Sequence, residues 1–338
     1  MPVLFVTDPR FHDHETGRSH VEIPARLNSV VAGVRAAHLE DDLIPAVPRA
    51  ATALELTRVH DADLVRRVES ACESSTPLDP DTVTVPASWP AALLAAGAGL
   101  VAIEALDAGE AESAFCAVRP PGHHATRTTS MGFCLFNNVA VTAAALVDRG
   151  ERVLIADIDA HHGNGTQDIF YDDRRVLFVS WHQWPLYPGT GRVDETGSGE
   201  AAGSTLNIPL PPGSTGDHYR RALDEVVMAA VEAFAPTWLL ISAGFDAHRA
   251  DPLASMGLTA GDYSDLVTRL AGLVGRGRVI VFLEGGYDLG AIERSSTATV
   301  SALAGTTLHE EAPTVGGPGA TAVDNLAEFH RRRGVLAT

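Results

Sequence analysis

The segment Asp157-Ile158-Asp159-Ala160-His161-His162-Gly163-Asn164-Gly165 directly follows an apolar run at residues 153–156. A short apolar run of this kind is typical of a buried parallel strand, so the polar residues begin where the strand leaves the sheet. Because side chains alternate along an extended backbone, Asp157, Asp159 and His161 are expected on one side of it. Two carboxylates and an imidazole this close together are costly to bury without a cation, and they suit a divalent metal such as zinc. The segment therefore predicts half of a metal site.

The same order, an apolar run followed by a polar motif and then a helical segment, recurs along the chain. The apolar runs lie at residues 3–6, 43–47, 115–118, 153–156, 176–179, 206–208, 238–241 and 279–283. Strands that alternate with helices indicate an α/β protein with a parallel sheet, which binds ligands at the carboxyl ends of its strands. We predict a single domain over residues 1–338, with a core of about eight strands over residues 1–305 and a C-terminal helix at about residues 321–333.

The composition excludes several classes of function. The 338 residues include 43 acidic and 25 basic ones, and the formal net charge of -18 would repel a phosphate backbone, so no nucleic acid is expected as a partner. The sequence contains no lysine, which excludes a Schiff-base lysine and a P-loop. Cys72, Cys116 and Cys134 are scattered, so they predict neither disulfides nor a thiolate metal site and fit a reducing cytoplasm.

No membrane attachment is expected from the sequence. Residues 1–8 contain a short apolar run without a basic leader, and no apolar stretch is expected to reach the length of a membrane span. We therefore expect a cytoplasmic protein without membrane contact.

A third metal ligand is predicted at Asp246, which follows the apolar run 238–241 and Gly244. Together with Asp159 and His161 it offers two oxygens and one nitrogen, and this set leaves a position open, as a catalytic zinc site requires. In the alternative interpretation, Asp246 only caps the next helix.

Further polar groups are candidates for the chemistry. His123 and His124 lie in a loop after the run 115–118, and a histidine beside a metal can act as general base and acid. Asp157 is expected to hold a histidine tautomer rather than to bind the metal. Tyr287 lies in a Gly-Gly-Tyr turn and could donate a hydrogen bond to an oxyanion. The alternatives are ordinary loop histidines and a packed core tyrosine.

Five motifs, in this order, resemble those of zinc-dependent histone deacetylases, most closely the class II and bacterial members, including relatives of the acetylpolyamine amidohydrolases. They are Arg-Pro-Pro-Gly-His-His-Ala at 119–125, Gly-Phe-Cys-Leu-Phe-Asn-Asn at 132–138, the segment 157–165, Ser-Ala-Gly-Phe-Asp at 242–246 and Glu-Gly-Gly-Tyr at 284–287. The resemblance covers about residues 12–305, including the pattern Gly17-x-x-His20-x-Glu22-x-Pro24-x-Arg26. It implies the arginase/deacetylase fold, an eight-stranded parallel sheet flanked by helices.

The resemblance also implies roles for individual residues, with His124 as the proton shuttle and Tyr287 as the group that polarises the acetyl carbonyl. The implied zinc ligands are Asp159, His161 and Asp246, and the implied catalytic residues are His123, His124, Tyr287, Asp157 and Asn164. The implied substrate channel is lined by Gly132, Phe133, Tyr187 and Leu253. Two structural potassium sites are implied, one at Asp157, Asp159, His161, Ser180 and Trp181, the other at Phe170, Asp173 and Val176.

Two of these positions carry information about subclass. Asn164 stands where class I members have aspartate and class II members asparagine, and its neutral amide would hold His124 less strongly in the protonated form. Tyr187 falls where the family usually has phenylalanine, which makes the channel more polar on one side.

The activity implied by the resemblance is hydrolysis of an acylated lysine or a small acylated amine to acetate and free amine, with zinc or iron(II) in the site. A two-metal ureohydrolase is disfavoured, because His162-Gly163 follows the central motif without a further aspartate. A non-catalytic acyl-lysine or metal-binding module would be expected to have lost Tyr287 or a ligand. A homo-oligomer stays open, with the histidine-rich loop 12–20 as a contact surface or channel rim.

An acetylpolyamine substrate is the main alternative within the family. Leu253 stands where polyamine-selective relatives carry a glutamate at the rim, which favours acyl-lysine or another neutral amide. A rim carboxylate at Asp79 or Asp81 could still supply charge for a polyamine.

Overall fold

The predicted strands form one sheet in the computed structural model, which describes residues 1–39 and 41–333. The strands are β1 (Val3–Val6), β2 (Leu43–Ala46), β3 (Ser113–Cys116), β4 (Val153–Asp157), β5 (Val176–Gln183), β6 (Thr205–Leu210), β7 (Trp238–Ala243) and β8 (Val279–Leu283). Their order across the sheet is β2-β1-β3-β8-β7-β4-β5-β6, and all neighbours pair in parallel. The predicted α/β class with an eight-stranded parallel sheet is therefore confirmed. Glu40 and residues 334–338 of the predicted domain lie outside the described residues.

Helices flank the sheet and connect its strands. They are α1 (Ala25–Ala36), α2 (Ala53–Leu56), α3 (Ala62–Ser74), α4 (Ser88–Asp107), α5 (Asn138–Val147), α6 (Asn164–Phe170), α7 (Gly216–Ala222), α8 (Met228–Phe234), α9 (Ala260–Ala271), α10 (Leu289–Leu303) and α11 (Ala320–Arg332). A π-helical turn at Leu223–Val227 joins α7 to α8, and α10 packs between α1 and α9. The helix expected at about residues 321–333 is present as α11.

Helix α4 corrects one expectation about membrane spans. It has 20 residues and is long and apolar enough to cross a membrane by length and composition, although no such stretch was expected. However, 72% of its apolar window is buried inside the fold, where α4 packs against α5 and β3. A small-residue helix that is apolar on all sides is typical of a core helix covered by its neighbours.

The central strands bring the polar motifs together. β8 is the last strand in the chain, yet it lies between β3 and β7. β4 lies between β7 and β5, so that Asp157 at its end is level with Ser242 and Ser180. Because these strands are buried along their whole length, polar side chains collect mainly at their carboxyl ends. The motifs after β3, β4, β7 and β8 therefore meet at one edge of the sheet.

Candidate active site and metal centre

Three predicted metal ligands converge in the loops after β4 and β7. One ligand atom from each of Asp159, His161 and Asp246 can be chosen so that all three lie within 4.8 Å of one another, and all three residues are buried. The Nδ1 atom of His161 lies 3.1 Å from Oδ1 of Asp159 and 3.0 Å from Oδ2 of Asp246. The ligand atoms of the three residues therefore face a common point. A role of Asp246 as a simple helix cap would not explain this arrangement.

Backbone groups and two glycines hold the carboxylates in this orientation. Asp159 accepts hydrogen bonds from the N–H groups of His161 and Gly285, both at 2.8 Å, while Asp246 accepts one from the N–H of Ala160 at 2.7 Å. A Cβ atom on Gly244 would collide with the carboxylate of Asp159, and one on Gly285 would collide with that of Asp246. The two glycines thus leave the space that the carboxylates occupy.

The buried negative charges of Asp159 and Asp246 favour binding of a cation. Burial opposes a charge on His161, yet the neighbouring carboxylates Asp246 and Asp159 raise its pKa to about 10. Burial and the charge of Asp159 together raise the pKa of Asp246. Two buried carboxylates that compete for one proton are a favourable place for a divalent ion, and two oxygens with one imidazole nitrogen are a donor set that zinc accepts. The residues present therefore fit a metal.

Two adjacent histidines lie beside the cluster, each with its own polar partner. Nδ1 of His123 lies 2.9 Å from Oδ2 of Asp157, and Nδ1 of His124 lies 2.7 Å from Oδ1 of Asn164. The two rings do not diverge as adjacent side chains often do, since their centroids are 4.0 Å apart. Because the Asn164 oxygen can only accept a hydrogen bond, Nδ1 of His124 carries the ring proton and Nε2 is left as an acceptor.

The two histidines differ in charge state. Burial opposes protonation of His123, but the carboxylates of Asp157 and Asp159 raise its pKa well above the ordinary value. Burial and the positive charges of His123 and His161 lower the pKa of His124 well below that value. A neutral His124 with a free nitrogen acceptor can therefore take a proton, while His123 keeps its own.

Glu284 fixes the backbone of the histidine loop, a role that the sequence did not suggest although the residue lies in a quoted motif. One of its carboxylate oxygens accepts hydrogen bonds from the N–H groups of Gly122 at 2.7 Å and His123 at 3.1 Å. The other accepts one from the hydroxyl of Ser242 at 3.2 Å. The side chain is fully buried, and burial raises its pKa to about 7. Glu284 thus ties the loop after β3 to β7 and β8.

Tyr287 is held from two sides in the loop after β8. Its N–H donates to Oδ2 of Asp251 at 2.6 Å, and Oδ1 of Asp251 accepts the N–H of Leu253 at 2.9 Å. The guanidinium of Arg26 lies 5.1 Å from the centroid of the Tyr287 ring and donates to the Gly286 carbonyl at 2.6 Å. Burial raises the pKa of Tyr287 well above its ordinary value, so the phenol keeps its proton.

Arg26 belongs to a buried ionic network that also was not predicted. Glu22 lies between two arginines, with Oε1 2.7 Å from Arg26 and 2.5 Å from Arg119. Arg119 also donates to the carbonyls of Phe11 at 2.7 Å and His14 at 3.1 Å. All three charged side chains are fully buried, so removal of Glu22 would leave two buried guanidinium groups without their shared carboxylate. The network anchors the N-terminal loop beneath the candidate site.

A cavity of about 420 Å³ opens above the ligand cluster. Its walls are formed by Ser19, His20, Val21, Asp81, His124, Gly132, Phe133, His161, Leu186, Tyr187, Leu253 and Tyr287. All four residues predicted for the channel are among them, and Ser19 and His20 belong to the loop 12–20 that was expected as a contact surface or channel rim. Val21 and Leu186 were not predicted. Asp81 lines the cavity, while Asp79 accepts hydrogen bonds from the N–H groups of Asp81 and Thr82 at 2.9 and 2.6 Å.

The aromatic walls of the cavity approach the polar groups closely. The Phe133 ring lies edge-on to Tyr287 with centroids 5.8 Å apart, and the Tyr187 ring lies edge-on to His124 at 5.2 Å. Gly132 has a φ of 57°, and a Cβ atom there would lie 2.6 Å from the His124 ring. A glycine is therefore required at this turn by its backbone angle and by the close contact.

The residues predicted for potassium lie in two ordered places. Asp157 and Ser180 are register partners on β4 and β5, and the Ser180 hydroxyl lies 3.0 Å from Nδ1 of His182. At the second place, the carbonyl of Phe170 accepts the N–H of Asp173 at 3.1 Å, and that of Asp173 accepts the N–H of Val176 at 3.2 Å. Potassium at both places stays a prediction.

The chain is similar to known proteins over most of its length. The model of the histone deacetylase domain family matches residues 20–303. A probable deacetylase of Archaeoglobus fulgidus is 39% identical over 311 residues, covering 89% of this chain and 87% of that protein. Histone deacetylase 14, chloroplastic, of Arabidopsis thaliana is 36% identical over 312 residues, covering 85% and 73%. The crystal structure of the HDA15 HD domain superposes with a TM-score of 0.91 at 35% identity, covering 99% and 96%. The chain therefore belongs to the histone deacetylase domain family and is a hydrolase of the deacetylase type.

Proposed function

We propose that this chain is a zinc-dependent deacetylase that hydrolyses the N-acyl amide of an acylated lysine or a similar acylated amine. The observation that carries the proposal is the convergence of Asp159, His161 and Asp246 at the cavity whose wall also holds His124 and Tyr287. A metal site, a proton acceptor and a phenol that share one cavity are the parts that amide hydrolysis needs.

Asp159, His161 and Asp246 are the residues that would hold the ion. When bound, zinc would supply Lewis acidity toward the amide carbonyl and toward the attacking water. The remaining steps are assigned to side chains of this chain.

His124 and Tyr287 carry the proton transfer and the charge stabilisation. Nε2 of His124 takes a proton from the water that attacks the carbonyl carbon. The hydroxyl of Tyr287 donates a hydrogen bond to the carbonyl oxygen as negative charge develops there. When the C–N bond breaks, the protonated His124 returns its proton to the leaving nitrogen, which gives a carboxylic acid and a free amine. His123, whose Nδ1 lies 2.9 Å from Oδ2 of Asp157, lies beside this path.

An acetylpolyamine is the second candidate substrate, and Asp81 is the observation that favours it. This carboxylate lines the cavity and could pair with a distant ammonium group of a polyamine. Leu253, on the same wall, is apolar and favours a neutral extension of the substrate.

A substrate comparison tests the proposal. Acetate release is measured with an acetyl-lysine peptide, free acetyl-lysine, acetylputrescine and a longer acyl-lysine, together with the zinc content of the protein. We expect turnover of the acetyl-lysine peptide at a kcat/KM at least about tenfold above that of acetylputrescine, a difference of about 1.4 kcal/mol. A higher kcat/KM for acetylputrescine than for the acetyl-lysine peptide, lost in Asp81→Asn, would identify a polyamine as the substrate. Absence of turnover with every acyl amine, in a protein that holds zinc, would instead indicate a binding module.

The contact between Asn164 and His124 leads to a prediction about the pH dependence of kcat/KM. A carboxylate at position 164, 2.7 Å from Nδ1 of His124 in the wild-type geometry, would stabilise the imidazolium and raise its pKa. Since His124 must be neutral to accept a proton, the acid limb of kcat/KM should move to higher pH by about 1–3 units in Asn164→Asp. The pH profile of kcat/KM is measured for Asn164→Asp and for the control Asn325→Asp, which adds the same charge at an exposed position. A profile that does not move, or that moves equally in both variants, would exclude His124 as the base.

A further inference from the structure

A segment beyond the region matched to the family packs against the loop that carries Asp246. Residues 305–319, called here the C-terminal strap, connect α10 to α11, whereas the family match ends at residue 303. The carboxylate of Glu311 in the strap lies 2.8 Å from Nε2 of His248 and accepts a hydrogen bond from Arg249 at 2.9 Å. His248 is 1% exposed and lies two residues after Asp246. The strap therefore reaches a buried side chain of the active-site loop.

The strap is held firmly against α9, so Glu311 is presented from a fixed backbone. The carboxylate of Asp262 accepts hydrogen bonds from the N–H of Thr314 at 2.9 Å and from its hydroxyl at 2.7 Å. Arg220 joins the same pair, at 2.7 Å from Asp262 and 2.8 Å from the Thr314 carbonyl. A Cβ atom on Gly261 would lie 2.7 Å from the nitrogen of Pro313, so the strap and the helix are in direct contact.

His248 links Glu311 to the next turn of the loop through hydrogen bonds on both ring nitrogens. The N–H of Ala250 donates to Nδ1 of His248 at 3.1 Å, so that Nε2 carries the ring proton and donates it to Glu311. The N–H of Asp251 donates to the His248 carbonyl at 2.9 Å. The imidazole thus fixes the backbone of residues 248–251 from one side, and Glu311 fixes the imidazole.

The same turn holds the proposed phenol donor. Asp251 accepts the N–H of Tyr287 at 2.6 Å and the N–H of Leu253 at 2.9 Å. We propose that Glu311 is a positioning residue for the deacetylation, because it fixes Tyr287 and the Leu253 side of the cavity through His248 and Asp251. This inference rests on the proposed function, since it assigns to the strap a part in the geometry of that reaction.

The test compares Glu311→Ala with Glu310→Ala, which removes the same charge one residue earlier at an exposed position. We expect Glu311→Ala to lower kcat about tenfold to a hundredfold, as a displaced catalytic group does, with zinc content unchanged and KM changed less than kcat. Glu310→Ala should match the wild type, and Glu311→Gln, which keeps an acceptor oxygen for Nε2 of His248, should recover most of the loss.

Two further measurements separate positioning from loss of folding. Gly261→Ala should lower kcat as Glu311→Ala does, because the added methyl group displaces the strap without a change of charge. The helix itself should persist, since alanine is well tolerated in a helix. In a Tyr287→Phe background, Glu311→Ala should cost less than about twofold, since the group that it positions is already missing. Circular dichroism and thermal melting establish that each variant is folded.

The outcomes are distinguishable from those of the substrate comparison. A wild-type protein that hydrolyses no acyl amine would overturn the proposed function itself. An active wild type whose Glu311→Ala variant equals Glu310→Ala would overturn the positioning role alone. Equal losses from Glu311→Ala with and without the Tyr287 hydroxyl would also overturn it, because the effect would then not pass through Tyr287.

Discussion

Asp246→Asn is expected to lose both the bound metal and at least about 10³-fold in turnover, since the ion supplies several kcal/mol of transition-state stabilisation. The physical reason is the loss of one of the two carboxylate charges that face Nδ1 of His161 across 3.0 and 3.1 Å. An amide in this place would also direct either a neutral oxygen or an N–H group at the ligand cluster. The measurement is elemental analysis of the purified variant together with acetate release.

Chelation of the wild-type protein provides the matching control. Removal of the ion should abolish acetate release, and added zinc should restore it in the wild type but not in Asp246→Asn. Asp172→Asn, the same change at an exposed aspartate, should behave as the wild type. A variant at Asp246 that keeps one equivalent of metal and full turnover would place the metal chemistry elsewhere.

Tyr287→Phe is expected to lower kcat by about 10²–10³, which corresponds to about 2.7–4 kcal/mol for the loss of one donor to a developing oxyanion. KM and zinc content should change little, because the phenylalanine ring can keep the contacts with Phe133 and Arg26. Only the hydroxyl is lost, and no ligand of the metal is touched.

The control for this change is Tyr171→Phe, which removes a hydroxyl outside the cavity and should have no effect on turnover. Single-turnover measurements with excess enzyme separate the chemical step from product release. Wild-type rates in Tyr287→Phe, or a loss that appears only together with loss of zinc, would exclude the hydroxyl as the donor.

Most features that could be predicted from the residues are local ones, whereas the joining of Asp246 to Asp159 and His161 was expected from its place after a parallel strand. An apolar run predicts a buried strand because its own side chains exclude water, and the order of run and motif predicts the parallel sheet. Asp157, Asp159 and His161 lie within five residues of each other, so their proximity follows from the chain itself. The boundaries of β4 and α11 accordingly lie within one or two residues of the predicted ones.

The features that escaped prediction depend on contacts between distant parts of the chain. Glu22 and Arg119 are 97 residues apart, and Glu284 and Gly122 are 162 apart. In the second pair the carboxylate accepts a backbone N–H, which every residue except proline offers, so no pattern of side chains marks it. The position of Glu311 against His248 depends in the same way on how the strap folds back over α9.

The position of β8 has a consequence for synthesis of the chain. A ribosome releases the strands in numerical order, so Asp159, His161 and Asp246 emerge before residues 279–283, which must then enter between β3 and β7. Until that moment the nascent protein carries two open hydrophobic edges that invite aggregation. The hydroxyl of Tyr287 arrives only with this closing strand, so a polypeptide arrested earlier contains the proposed ligands of the ion without the proposed hydrogen-bond donor.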